Sequence, residues 1–326
     1  MSDKLRKILI TFSFSFVLLF ISLTIPTNFA SVMPGTMSEV SSNIKIDGVE
    51  NAKNIYTTSV YYQTRMVPLI RMILEADNKN DVYPMTPYES SLSSIDDYKM
   101  GQISKKYSYY SSIINAYKEA CKVDSSITIN YEVDGLLLYY RPSRMIDLQI
   151  GDHIIKIDGV EVNEDNYKEV IRESRKDNLP ITIKREDQII EYVVKYTKDD
   201  PTYISFYPNI VVRSSNPSFE LPGLDSTTGG PSGGLMQTIN IYVSLLNLNL
   251  GDLKIGGTGT LNLDGNVGKI GGAVQKIHTA NAYKMDVFFI ALSNHSEVVE
   301  LKKNFDYYPV ENLAEAIQVL NTKIIK

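Results

Sequence analysis

Residues 228–246 read TGGPSGGLMQTINIYVSLL, a glycine-rich turn around Ser232 that runs straight into a helical repeat. Leu235, Met236, Ile239, Val243 and Leu246 recur at helical spacing, which gives that helix an apolar face to bury. Small neighbours on both sides of Ser232 let another backbone approach closely. The first N–H groups of a helix have no internal partners and lie at the positive end of its dipole, so they can donate to a negative oxygen. A serine placed there is a candidate nucleophile, with backbone N–H groups near Gly230 and Gly233 as candidate oxyanion donors. Taken alone, the same turn reads as a helix-capping serine or a glycine-rich anion site. A nucleotide-binding loop of the form GxxxxGK[ST] does not occur. The nearest pair, Gly268-Lys269, is followed by Ile270 and has Leu263 where the leading glycine belongs.

A nucleophilic serine needs a base. The histidines are His153, His278 and His295, and none sits in a recognisable acid–base motif. A Ser-His-Asp triad is defined by geometry, so the sequence leaves that option open. A lysine can serve instead if burial in an apolar site disfavours its charged form. Residues 257–283, GTGTLNLDGNVGKIGGAVQKIHTANAY, read as a strand, an Asp264-Gly265 hairpin turn, a second strand and a Gly271-Gly272 entry to a helix bearing Lys276. Lys269 and Lys302 read as solvated surface groups, and Lys276 would too without its context.

That context is a resemblance. From about residue 204 to 322 the chain resembles the proteolytic domain of Lon-type proteases, and within them the membrane-anchored, PDZ-containing Lon-like proteins of bacteria. Gly230-Pro231-Ser232-Gly233-Gly234-Leu235-Met236 matches the nucleophile motif of that family. Gly257-Thr258-Gly259-Thr260, Asp264-Gly265-Asn266-Val267-Gly268 and Ile270-Gly271-Gly272 match its hairpin. The resemblance implies Ser232 as nucleophile and Lys276, 44 positions later, as base. It implies that Thr258, 18 residues before the lysine, helps orient the amine. Two departures stand out. Gly229 replaces an Asp of the classical enzymes three residues before the serine, which suits the PDZ-containing branch. Ser-Gly-Gly also replaces the usual Ser-Ala-Gly.

A second unit spans residues 125–198. ITINYEV and GLLLYYR read as short strands, and Asn163 as the cap of the helix EDNYKEVIRESRK. LPITIKRE and QIIEYVVKY complete a small barrel-like sheet with one helix against it. LQIGDHIIKIDG, residues 148–159, resembles the core of a PDZ domain. Such a domain captures an extended peptide at an open sheet edge and holds its C-terminal carboxylate on backbone N–H groups. The resemblance implies that Asp134-Gly135-Leu136-Leu137 forms that loop, with Gly135 and Leu136 as peptide-binding residues. His153 reads as structural.

Upstream, Lys4, Arg6 and Lys7 precede the apolar run Ile8–Ile25, 18 residues without a charge. Such a run is just long enough to span a bilayer, and the charge asymmetry places the first residues in the cytoplasm. A cleaved signal peptide competes with an uncleaved anchor, but Asn28 breaks the small-x-small pattern before a cut after Ala30. Residues 31–50 read partly as linker, IYTTSVYYQ from Ile55 as a strand, and MVPLIRMILEA as a helix. Asp77 to about Gly101 is a polar stretch, followed by the tyrosine-rich helix SKKYSYYSSIINAYKEACK. Cys121, the single cysteine, reads as a packing residue at the end of that helix.

The expected architecture is α+β in four parts: an anchor at 1–30, a linker and N-terminal extracytoplasmic region at 31–124, the PDZ unit at 125–198 and a Lon-like proteolytic domain at 199–326. With 43% hydrophobic residues and a formal net charge of -5, the chain has an ordinary core content and no basic footprint for nucleic acid. No metal or cofactor is expected. The resemblance implies an ATP-independent serine endopeptidase at the cell membrane, acting on exported or membrane-associated polypeptides, with a hexameric ring as a plausible assembly. A non-catalytic membrane-tethered PDZ adaptor is the competing class, and an esterase using the same two residues is a further one.

Overall fold

The structure is a computed structural model that describes residues 2–41, 44–196, 203–223 and 230–325. Thr228, Gly229 and the expected boundary near residue 199 lie outside the described residues.

The N-terminal segment forms helix α1 (Asp3–Thr24), strands β1 (Phe29–Glu39), β2 (Lys45–Ile46) and β3 (Ile55–Thr64), helix α2 (Pro68–Glu75), strand β4 (Asp81–Pro84), and helices α3 (Pro87–Ser91) and α4 (Ser94–Cys121). Helix α1 is apolar, with none of its residues buried in the protein. Its 22 residues make it long enough to cross a membrane. The polar stretch 77–101 holds more structure than its composition suggests. Thr86 and Glu89 close a capping box on α3, and the Ser93 hydroxyl accepts from the Asp96 amide to start α4 well before the tyrosine-rich segment.

The middle segment contributes β5 (Thr128–Tyr140), β6 (His153–Ile157), β7 (Val160–Glu161), α5 (Tyr167–Glu173), β8 (Leu179–Arg185) and β9 (Gln188–Val194). The C-terminal segment adds β10 (Ser205–Asn216), β11 (Phe219–Glu220), α6 (Gly234–Leu245), β12 (Ile255–Thr258), β13 (Thr260–Leu261), β14 (Val267–Gly268), α7 (Ala273–Ala282), β15 (Val287–Ala291), α8 (His295–Val298), β16 (Asp306–Val310) and α9 (Leu313–Val319).

One six-stranded sheet runs in the order β16-β15-β12-β3-β1-β4. Its β12, β15 and β16 are parallel to one another and to β3, whereas β1 is antiparallel to β3 and β4. Three of the six strands therefore come from residues expected to be linker and a separate N-terminal region. That expectation is corrected: residues 29–121 and 219–325 build one layered body. The Pro34-Gly35 interruption that hid β1 is a bulge, where the register with β3 shifts between Pro34 and Met37.

β15 is buried along its whole length, and its side chains alternate between two cores. Val287, Phe289 and Ala291 face α4, α6 and α9, while Phe288 and Ile290 face α7 and α8. Helix α6 is buried nearly all round, as expected of a central helix. Burial of Leu235, Met236 and Ile239, each 0% exposed, contributes on the order of 2 kcal/mol per side chain. Close packing here relies on Gly257, where a Cβ would lie 2.5 Å from Met236 Sδ and 2.7 Å from the Phe289 carbonyl oxygen.

The intervening residues fold as an antiparallel sheet in the order β10-β5-β6-β8-β9, with β7 on β6 and α5 alongside. The two short strands expected at 126–141 are one long β5, which turns at Gly135 (φ 70°). Asp152 of the IGD turn is 4% exposed and accepts from the Gln149 amide at 2.8 Å and from Arg185 at 2.7 Å, so its role is structural. The Asn163 side chain caps the turn before α5 rather than the helix, accepting from the Asp165 and Asn166 amides. This sheet shares its core with Ile114 of α4 and Leu263 of the β13–β14 turn, and Lys168 pairs with Asp264. Cys121 is exposed, not packed.

Candidate active site

Ser232 lies in the turn that enters α6, with Gly233 at the N-cap. The turn is stitched to the end of β12. The Gly259 amide donates to the Ser232 carbonyl at 2.9 Å, and the Leu235 amide donates back to the Gly259 carbonyl at 3.1 Å. Gly230, ahead of the turn, adopts φ 94°, a conformation that strains other residues. Among the described residues, no backbone group accepts from the Ser232 or Gly233 amide, both of which lie at the start of α6.

Lys276 stands in the first turn of α7, after Gly272 turns the chain at φ 66°. Its side chain is 2% exposed. Nζ donates to Thr258 Oγ1 at 3.0 Å, and Thr258, itself 0% exposed, donates its hydroxyl to the Ser232 carbonyl at 3.1 Å. The hydroxyl proton can serve one acceptor at a time, so the order is fixed: lysine to threonine to the serine backbone. No salt bridge to Lys276 exists among the described residues. Burial alone lowers its pKa from the usual lysine value to about 7. Such an amine is neutral in a large fraction of molecules near neutral pH and can accept a proton.

The tertiary structure thus brings Ser232, Thr258 and Lys276 together, with Gly230 and Gly233 flanking the serine. The histidines are placed elsewhere. His153 Nε2 lies 2.6 Å from the Asp134 carbonyl oxygen, and His295 Nδ1 lies 3.2 Å from Tyr307 Oη. His278, two residues beyond the lysine, is held below the usual histidine range by partial burial, with nearby Lys79 adding to the effect. Among the described residues, no group of three or more His, Cys, Asp or Glu could hold a metal ion.

Gly135 and Leu136 need correction. Leu136 and Leu137 pair with β6 on one side and with Pro208 and Tyr207 of β10 on the other. Leu136 is 0% exposed, and a Cβ at Gly135 would meet the Ile154 carbonyl oxygen at 2.5 Å. A peptide cannot add where both edges are taken, so the open edges of this sheet are those of β10 and β9.

Two sets of residues escaped the sequence reading. On α4, Ser108 donates to the Pro231 carbonyl at 3.3 Å, and the Ser112 hydroxyl lies between the Gly234 carbonyl at 3.0 Å and the Ser108 carbonyl at 2.7 Å, so α4 braces the serine turn from both sides. Their spacing of four along a helix is the one sequence signal they carry. On β3, the Thr57 hydroxyl is buried without a partner among the described residues, 3.1 Å from where a Cβ on Gly233 would lie. Nothing local marks it, because Thr57 reaches the site only through the pairing of β3 with β12.

Residues 220–323 match the family model of the Lon protease (S16) C-terminal proteolytic domain. Ser232, Thr258 and Lys276 all fall inside that match, which supports a Lon-type serine protease in general. No curated protein matches the chain.

Proposed function

We propose that this chain is a membrane-tethered serine endopeptidase in which Ser232 attacks and Lys276 is the general base. The observation that carries the reading is the buried Lys276 amine, without a carboxylate partner among the described residues and linked through Thr258 to the Ser232 backbone. Neutral Lys276 takes the Oγ proton as Oγ bonds to the peptide carbonyl carbon, and the carbonyl electron pair moves onto oxygen. The amides at Ser232 and Gly233 sit at the positive end of α6, where they stabilise that oxyanion, with Gly230 shaping the approach. Protonated Lys276 then gives its proton to the leaving amine, and water hydrolyses the acyl-enzyme by the same route.

No phosphate-binding GxxxxGK[ST] loop occurs in these 326 residues, so the proposed reaction draws on this chain's own groups and not on ATP. On this reading its substrates are flexible or unfolded polypeptides. An extended segment has a place to bind: past Thr57, no described strand pairs with the β12 side of β3. Helix α1 anchors the protein with the site on the extracytoplasmic side, as the basic Lys4, Arg6 and Lys7 indicate. The 128–216 sheet recruits or gates substrate through an open edge.

The test compares wild-type protein with Ser232→Ala and Lys276→Ala on an unfolded polypeptide and on an ester of the same acyl group. Both variants should lose peptide hydrolysis by at least about a thousandfold. A Ser232→Ala protein that cleaves at the wild-type rate removes the mechanism. Ester hydrolysis without peptide hydrolysis assigns the site to an esterase.

A further inference from the structure

Helix α2 is amphipathic, yet none of its residues is buried in the protein. Met72 is 67% exposed and Ile73 58%, and Ile25, just past α1, is 52% exposed. An uncovered apolar face on a folded body marks a contact surface. Its neighbour identifies the contact. The chain leaves α1 at Thr24 and is tied down again almost at once. Both the Thr27 amide and hydroxyl donate to the Met66 carbonyl, at 2.9 and 2.7 Å, directly before α2. The Asn28 carbonyl and side chain are held by the Met85 amide at 3.0 Å and by the Ser90 hydroxyl at 2.7 Å. The Arg71 guanidinium of α2 lies 3.4 Å over the Phe29 ring. Only Ile25 and Pro26 separate the end of the apolar helix from this braced corner, a reach from Thr24 to Thr27 of at most about 10 Å.

We propose that α2 is a membrane-contact helix, with Met72 and Ile73 seated in the interfacial layer of the bilayer that α1 crosses. The inference rests on the reading of α1 as a membrane span. When α1 is in the bilayer, so short and so tightly bonded a connection holds α2 at the lipid surface, where its apolar residues leave water. Tyr61 and Tyr62, 55% and 49% exposed, lie at the same end of the sheet, at the level where aromatic rings favour the headgroups. β3 then runs from that surface towards Thr57, which abuts the serine turn, over roughly 20 Å of strand. The site is held within a few extended residues of the membrane. Its substrate class is polypeptide segments that emerge from the bilayer, cut close to the surface.

The chain has no tryptophan, so a single introduced one reports without background. Full-length Met72→Trp and Ile73→Trp variants are placed in phosphatidylcholine vesicles, beside Phe16→Trp within α1 and Ile146→Trp, which is 76% exposed in the connection between β5 and β6. Lipid brominated near the headgroup should remove roughly half the emission at positions 72 and 73, with a blue shift, and leave position 146 unchanged. Deep-brominated lipid should quench position 16. Quenching at 16 without quenching at 72 and 73 overturns the proposal and spares the anchor. Absent quenching at 16 removes the anchor and the proposal with it. A blue shift at 72 and 73 without lipid quenching assigns the face to a protein partner or a second copy, which also overturns it. A full-length Met72→Asp, Ile73→Asp variant should keep its rate on a soluble unfolded polypeptide and lose about tenfold on a vesicle-inserted one. Equal losses on the two substrates, or none on the inserted one, overturn the assignment of substrate class.

Discussion

Lys276 concentrates the chemistry of the site in one titration. Its pKa near 7 in the folded chain is far below the ordinary lysine value, so the unfolded chain binds the extra proton between about pH 7 and pH 10.5. Stability must rise with pH across that window, because burial penalises only the charged form. Below about pH 7 both states are protonated, and the penalty, on the order of 5 kcal/mol, is fully present. Lys276→Met should abolish that rise, so its stabilising effect is largest at pH 7 and below and fades towards pH 10.5, as read from urea melts across pH. In the active protein, kcat/KM should climb through a limb near pH 7 as the amine loses its proton. Thr57 makes an opposite prediction for stability alone. Its buried hydroxyl has no bond to lose, so Thr57→Val should raise stability by about 1 kcal/mol, where a bonded hydroxyl would lower it. Thermal melting of the two proteins decides this.

The seam between α4 and α6 governs how well the serine is held. α4 has hardly any apolar periodicity, because its inner face combines Ile113, Ala116 and Tyr117 with buried Ser108, Ser111 and Ser112. Buried hydroxyls usually find a partner, and Ser108 and Ser112 lie within hydrogen-bond distance of the two carbonyls that bracket Ser232, whereas Ser111 Oγ has none among the described residues. Ser108→Ala with Ser112→Ala should cost about 2 kcal/mol by denaturant melting, at ~1 kcal/mol per lost hydrogen bond. Because the turn would then shift by a fraction of an ångström, kcat should fall about tenfold with KM little changed. An unaltered kcat would show that β12 alone holds the turn.

At the scale of the whole molecule, the body that carries the candidate site is discontinuous in sequence. A fragment beginning at residue 199 lacks β1, β3, β4 and α4, which are half of its main sheet and the helix under Ser232. Such a fragment should aggregate or fail to show a cooperative melt. A fragment from Phe29 to the C-terminus should fold, since it contains every strand of both sheets. Circular dichroism melts of the two fragments would separate a discontinuous body from a serial string of domains.

The sequence by itself determined what is local. The apolar repeat after Gly234 fixed α6, and paired glycines and Asp264-Gly265 fixed the hairpin and the start of α7. The serine and lysine carry recognisable motifs because turn and helix-entry chemistry demands particular residues at particular offsets. What only the tertiary structure decided is non-local. β3 joins β12 across almost two hundred residues, and no residue of either strand records its partner. The same holds for the closed edge at Leu136, where Pro208 of β10 returns from 72 positions away (208 against 136) to fill the place a peptide would need. Strand pairing runs through backbone groups that every residue shares, so it leaves little trace in composition. Ser232 was legible as a candidate nucleophile in a turn. That Thr57, Ser108 and Ser112 surround it follows from burial and pairing, which the folded chain alone supplies.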